Sequence, residues 1–143
     1  MNAPSVHAAC ARCGATNRVP AERLADDPVC GRCRAPLLDG SVVPLTTANF
    51  NAVVSGSALP LVVDFWAAWC GPCRSMAPQF EQAARMLKGR ALLAKVDTDA
   101  HPELAARFRI QSLPTLLRLA SGVESGRLSG ARPASDIVRF ATG

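Results

Sequence analysis

The stretch that decides the reading is "FWAAWCGPCRSMAP", residues 65–78. It carries two cysteines, Cys70 and Cys73, with two residues between them. The same spacing occurs twice more, in "CARCG" (Cys10, Cys13) and "CGRCR" (Cys30, Cys33). A C-x-x-C pair either grips a metal or makes and breaks a disulfide, and its setting decides which. Cys70 and Cys73 follow the run "LPLVVDFWA", nearly continuous in β-branched and aromatic residues, as in a strand buried on both faces. They open "GPCRSMAPQFEQAARMLKG", which reads as a long helix. Pro72 suits its first turn, Lys88 and Gly89 its end, and Met76, Phe80, Ala83, Ala84 and Leu87 fall at helical spacing. Pro78 lies inside and should kink it.

That position favours redox chemistry. At the first turn of a helix, residues i and i+3 lie on one face, within disulfide reach. The unpaired N–H groups and the helix dipole stabilise a thiolate there. A thiolate is the attacking species in thiol–disulfide exchange. Cys70 is the expected nucleophile; Cys73, one turn in, is expected to be more buried and to resolve.

Outward from this centre the chain from residue 45 reads as globular. "TTANFNAVVSG" suggests a short helix capped by Thr46 or Thr47 and ended by Gly56. "ALLAKVD" is a second buried strand, and "HPELAARF" a short helix opening on Pro102. "PTLLRLA" and "GVESGRLSG" pair around Ser121-Gly122, and "ASDIVRFA" closes the chain as a helix. The order predicts an α/β domain, a sheet with helices on its faces, over residues 41–143.

Residues 1–40 differ. Their large aliphatics are Val6, Val19, Leu24, Val29, Leu37 and Leu38, with no Phe, Trp or Ile. So few apolar groups cannot offset the chain entropy of such a segment without a metal or disulfides. Cys10/Cys13 and Cys30/Cys33, sixteen residues apart, are spaced as two knuckles that together supply a tetrahedron of thiolates. Gly14 and Gly31 ease the turns. We expect one zinc on these four cysteines, structural or redox-sensing, rather than two disulfides or four free thiols, with His7 a surface residue. "LLDGSVVPL" reads as the exit strand and linker.

Length and composition set the outer limits. The 143 residues suffice for one domain and a small appendage, and 49% hydrophobic content is enough for a core. The net charge of +5 is scattered, without a basic run, so no nucleic-acid partner is expected. No apolar stretch is long enough to cross a bilayer, and "MNAPSVHAAC" carries no secretory h-region. A cytoplasmic location is expected, where thiols stay reduced and six cysteines serve metal or redox chemistry.

"VDFWAAWCGPCRSMAP" resembles the active-site segment of the thioredoxin family nearly residue for residue, and "SLPTL" resembles that family's cis-proline loop. The resemblance covers residues 45 to 142, and with its four-cysteine leader the whole chain is similar to the zinc-ribbon thioredoxins of bacteria. It implies a thioredoxin fold, a central mixed β-sheet flanked by helices, behind a small zinc ribbon. It implies a buried Asp64 as proton acceptor for Cys73, with a raised pKa because an apolar strand disfavours the anion. Lys95 matches the partner of that aspartate. Pro114 matches the cis-proline facing the disulfide. Leu113 matches the residue whose backbone pairs with substrate, and Trp69, Gly71, Pro72 and Gly130 match the groove lining. Trp66 is expected in the core. Departures are Leu113 where many members have Ile, Arg74 where Lys is commoner, and Ala68 where a charged residue or Pro is frequent.

The implied activity is protein-disulfide reduction, recycled by an NADPH-dependent thioredoxin reductase, by a monomer acting on client proteins. A disulfide oxidase or isomerase is the rival enzyme reading. The Gly71-Pro72 dipeptide resembles the reducing members instead, since oxidants usually carry a His there. A zinc-ribbon binding module on an inert scaffold is the rival outside the enzyme class. Cys70, Cys73, Asp64 and Pro114, all present, speak against it.

Overall fold

The computed structural model describes residues 4–143; the first three residues of the expected ribbon lie outside them. Two strands, β1 (Ser5–Ala9) and β2 (Thr16–Pro20), form an antiparallel hairpin followed by a 3-10 turn at Ala21–Arg23. Then come β3 (Val43–Leu45), α1 (Phe50–Gly56), β4 (Leu61–Trp66), α2 (Gly71–Met86), β5 (Leu92–Asp97), α3 (Pro102–Arg107), β6 (Thr115–Ala120), β7 (Val123–Ser129) and α4 (Ala134–Thr142). The five strands of the main sheet run in the order β3-β5-β4-β6-β7, with β3, β5 and β4 parallel and the β4/β6 and β6/β7 pairs antiparallel. This is the mixed sheet of the expected fold.

β4 shows why the apolar run folds as it does. Leu61, Val63 and Phe65 face one side, toward Phe50, Val53 and Leu104. Val62 faces the other, toward Met76, Phe80 and Ala83 of α2 and Ile137 of α4. A strand alternates its side chains, so Asp64 shares the α2 side with Val62. The same parity puts Lys95 beside Leu93 on the α2 side of β5, and Asp64 and Lys95 are register partners.

The segment read as exit strand and linker supplies β3, which joins the main sheet as an edge strand; Pro44 there lacks an N–H, which an edge tolerates. Other expectations change. The short helix starts at Phe50 with Asn49 at the cap, because Thr46 instead caps the turn ahead of it. The Thr46 hydroxyl accepts from the N–H groups of Ala48 and Asn49 at 3.2 and 3.3 Å. Gly31 is not in the left-handed region. Arg34 takes that position in the second knuckle, φ 67°, as Gly14 does in the first, φ 79°.

The ribbon is not a free appendage. Ala8, Cys10, Val19, Cys30, Leu37 and Leu38 join Leu45, Phe50 and Val53 in one core. The Ala58 N–H donates to the His7 carbonyl at 2.9 Å, and the Asn49 amide to the Ala11 carbonyl at 3.1 Å. His7 itself is exposed. A Cβ at Gly56 would stand 2.8 Å from the Ala9 Cβ, so α1 and β1 approach as closely as a glycine allows.

Candidate active site and metal centre

Cys70 and Cys73 are joined as a disulfide at the start of α2. Cys70 is the helix cap, and its sulfur accepts the Cys73 N–H at 3.2 Å. That bond places one of the orphan donors of the helix start on the sulfur expected to attack. Exposure does not separate the two cysteines, at 4% and 3%. Surroundings do: Cys73, and not Cys70, lines a cavity of about 190 Å³ with Asp64, Trp66, Arg74, Glu81 and Lys95.

Asp64 is 5% exposed, and its Oδ1 has no hydrogen-bond partner. Burial pushes its carboxyl up to about 7, against the downward pull of the Lys95 charge. Among the described residues no ion pair joins Lys95 to Asp64. The Lys95 ammonium lies 5.6 Å from the centre of the Trp66 ring, in cation–π range. Trp66, expected in the core, is half-buried and walls the cavity.

The Leu113–Pro114 bond is cis. Leu113 packs on the disulfide pair, and among the described residues neither its N–H nor its C=O takes part in a hydrogen bond. Gly130, φ 89°, donates its N–H to the Pro114 carbonyl at 2.9 Å, which sets the β6 and β7 loops side by side. Trp69 is 68% exposed. A Cβ at Gly71 or Gly130 would meet nothing within 4 Å, so the surface around the disulfide is open. Pro72 is exposed on the same rim. The fold thus gathers residues from four separate stretches around one disulfide.

Four participants escaped the sequence reading. Asp99 accepts the Trp69 indole N–H at 3.4 Å. Glu81 reaches the cavity from α2; its spacing of eight from Cys73 along a helix was the available signal. Val42 lines the cavity from the ribbon exit, and Asn17 braces the metal centre; neither leaves a trace in spacing.

In the ribbon, the Sγ atoms of Cys10, Cys13, Cys30 and Cys33 all lie within 4.8 Å of one another. The two knuckles share one backbone pattern: Gly14 donates to the Cys10 carbonyl at 2.8 Å, and Arg34 to the Cys30 carbonyl at 2.9 Å. Asn17 ties them, accepting the Gly31 N–H at 2.9 Å and donating to the Ala15 carbonyl at 3.3 Å. The Cys33 N–H, then those of Arg32 and the Asn17 amide, pull the Cys30 thiol down to about 6 against burial. The Ala15 N–H pulls Cys13 down, but burial and the three neighbouring sulfurs push it up to about 11. Four sulfurs this close cannot all ionise without a cation, and a closed set of four soft donors fits zinc.

Comparison with known proteins agrees on both parts. The family described as Thioredoxin matches residues 41–143, and that described as Thioredoxin 2, N-terminal, matches residues 9–35. Thioredoxin C-3 of Corynebacterium nephridii is 47% identical over 122 residues, 85% of this chain and 83% of that protein. The bifunctional thioredoxin reductase/thioredoxin of Mycobacterium leprae is 38% identical over 100 residues, 70% of this chain and 22% of that protein. The crystal structure of chloroplastic thioredoxin z superimposes with a TM-score of 0.64 at 32% identity, covering 71% of this chain and 92% of that one.

Proposed function

The chain belongs to the thioredoxin family, and from that premise we propose how its residues divide the work. It is a protein-disulfide reductase. Thiolate Cys70 attacks one sulfur of a client disulfide; that bond breaks, and the other client sulfur leaves as a thiolate. As the Cys73 sulfur attacks Cys70, its S–H proton passes to the Asp64 carboxylate. The Cys70–client bond breaks, the second client sulfur leaves as a thiolate, and Cys70–Cys73 is left oxidised. The observation that carries this reading is the Cys70–Cys73 disulfide with an unpartnered buried carboxyl in the cavity behind Cys73. A carboxyl poised near neutrality suits proton transfer at physiological pH.

Lys95 sets the charge around Asp64, and Pro114 faces the disulfide. The free N–H and C=O of Leu113 pair with an extended client segment, across a groove formed with Trp69, Gly71, Pro72 and Gly130. Two electrons return from an NADPH-dependent thioredoxin reductase; a relative that carries both names in one chain supports that pairing. One zinc on Cys10, Cys13, Cys30 and Cys33 stabilises the ribbon. With all four positions filled by the chain, it takes no part in the chemistry. No helix among the described residues is long and apolar enough to cross a membrane, and we place the protein in the cytoplasm as a monomer.

The test is reduction of insulin disulfides with NADPH and thioredoxin reductase. Wild type turns over, and Cys70→Ser does not. A wild type without turnover overturns the reading.

A further inference from the structure

We propose that Val42, in the segment leaving the ribbon, is a positioning residue for the reductase: it walls off the cavity that holds Asp64 and keeps water from the carboxyl. The inference rests on Asp64 as the proton acceptor of Cys73.

Two hollows meet at this point. The inner one, about 190 Å³, holds Asp64 and Cys73. The outer one, about 390 Å³, is lined by the charged or polar Asp39, Ser41, Glu81, Arg85 and Lys95. Val42, Glu81 and Lys95 line both. Glu81 and Lys95 are long, charged and able to reach water. Val42 is the apolar member of the partition, packed partly buried against the core on the α2 side.

The ribbon and the end of α2 hold Val42 there. Ser41 donates to the Asp39 carboxylate through its N–H at 3.0 Å and its hydroxyl at 2.6 Å, closing a tight turn. Gly40, φ 83°, lies against the Lys88 stem, where a Cβ would meet the Lys88 Cβ at 3.4 Å. The Lys88 ammonium in turn pairs with Asp27 of the ribbon at 2.5 Å. The docked ribbon thereby sets the position of a residue at the catalytic cavity.

The groups that face Asp64 are few. Lys95 comes from β5, and the Cys73 thiol, Arg74 and Glu81 from α2. The register partner on β6 is the apolar Leu116. Arg85 and Asp39 stand in the outer hollow, beyond Val42. Burial is the largest influence on Asp64, and Lys95 opposes it. Opening the partition admits water, which favours the charged carboxylate.

The experiment uses the full zinc-loaded chain. The Asp64 carboxyl is titrated by 13C NMR in wild type, Val42→Ala, Val42→Ser and Val42→Ile, and the pH profile of mixed-disulfide resolution is recorded for each. Val42→Ala and Val42→Ser should lower the midpoint by about one pH unit, and the rate profile should move with it. Val42→Ile should keep both near wild type. Protection of the Ala58 amide, which donates to the ribbon, reports that docking persists. An unmoved midpoint in a docked Val42→Ala chain overturns the proposal. A midpoint that moves without the rate profile supports the wall and overturns Asp64 as acceptor.

Discussion

Asp64 has apolar residues on both sides in its strand, and its buried Oδ1 has no hydrogen-bond partner. Its carboxyl sits near 7, against an ordinary value of 3.8. Between those two values the folded chain holds a proton that the unfolded chain has released. The unfolded state then binds fewer protons, so stability falls as pH rises from about 4 to about 7 and stays level above. The whole effect is about 4 kcal/mol, at 1.36 kcal/mol for each tenfold change in proton affinity. Asp64→Asn has no such titration. Its stability relative to wild type should therefore rise by up to about 4 kcal/mol between pH 4 and pH 8, read from urea melts at both. A constant difference across that range would place the carboxyl in water.

Among the elements, α1 carries the junction. It buries Phe50, Val53 and Val54 and ends at Gly56, against Ala9 of β1. Gly56→Ala puts two methyl groups 2.8 Å apart, so the ribbon must shift or α1 must bend. Overpacking of this kind costs about 1–3 kcal/mol. Hydrogen exchange at the Ala58 amide should speed up in the variant while amides of α2 keep their protection. Equal protection at Ala58 would mean that the hairpin yields without undocking. The helix carrying the disulfide departs from its sequence expectation in two respects: it ends at Met86, short of Lys88 and Gly89, and Cys70 and Cys73 are buried alike, packed with Leu113 and Ala67.

For the whole molecule, the sheet separates two cores, and the ribbon belongs to one of them. Metal analysis of protein purified under reducing conditions should find one zinc per chain, lost on Cys30→Ala with Cys33→Ala. Removing the zinc from wild type with a chelator leaves four crowded sulfurs without a cation. The ribbon should loosen first, and amides of β1, β2 and α1 should lose protection ahead of those in β4 and α2. Metal binding is folding free energy for a segment this poor in core residues. Simultaneous loss of protection on both sides of the sheet would show instead that the metal holds the whole fold.

Most of the elements were legible in sequence because their signals are local. The apolar run before Cys70, the helical spacing from Met76 to Leu87 and the turn at Ser121-Gly122 each depend on residues close in the chain. The equal spacing of three C-x-x-C pairs could be divided between metal and redox settings by what flanked each. The sequence by itself thus determined the domain class, the disulfide at a helix start and the four-sulfur cluster. Only the tertiary structure decided that residues 43–45 join the main sheet, that the ribbon docks on α1, and that Val42 and Glu81 share a cavity with Asp64. Those facts arise from packing between segments far apart in the chain. A valine in a loop looks the same in sequence whether it faces solvent or shields a carboxyl.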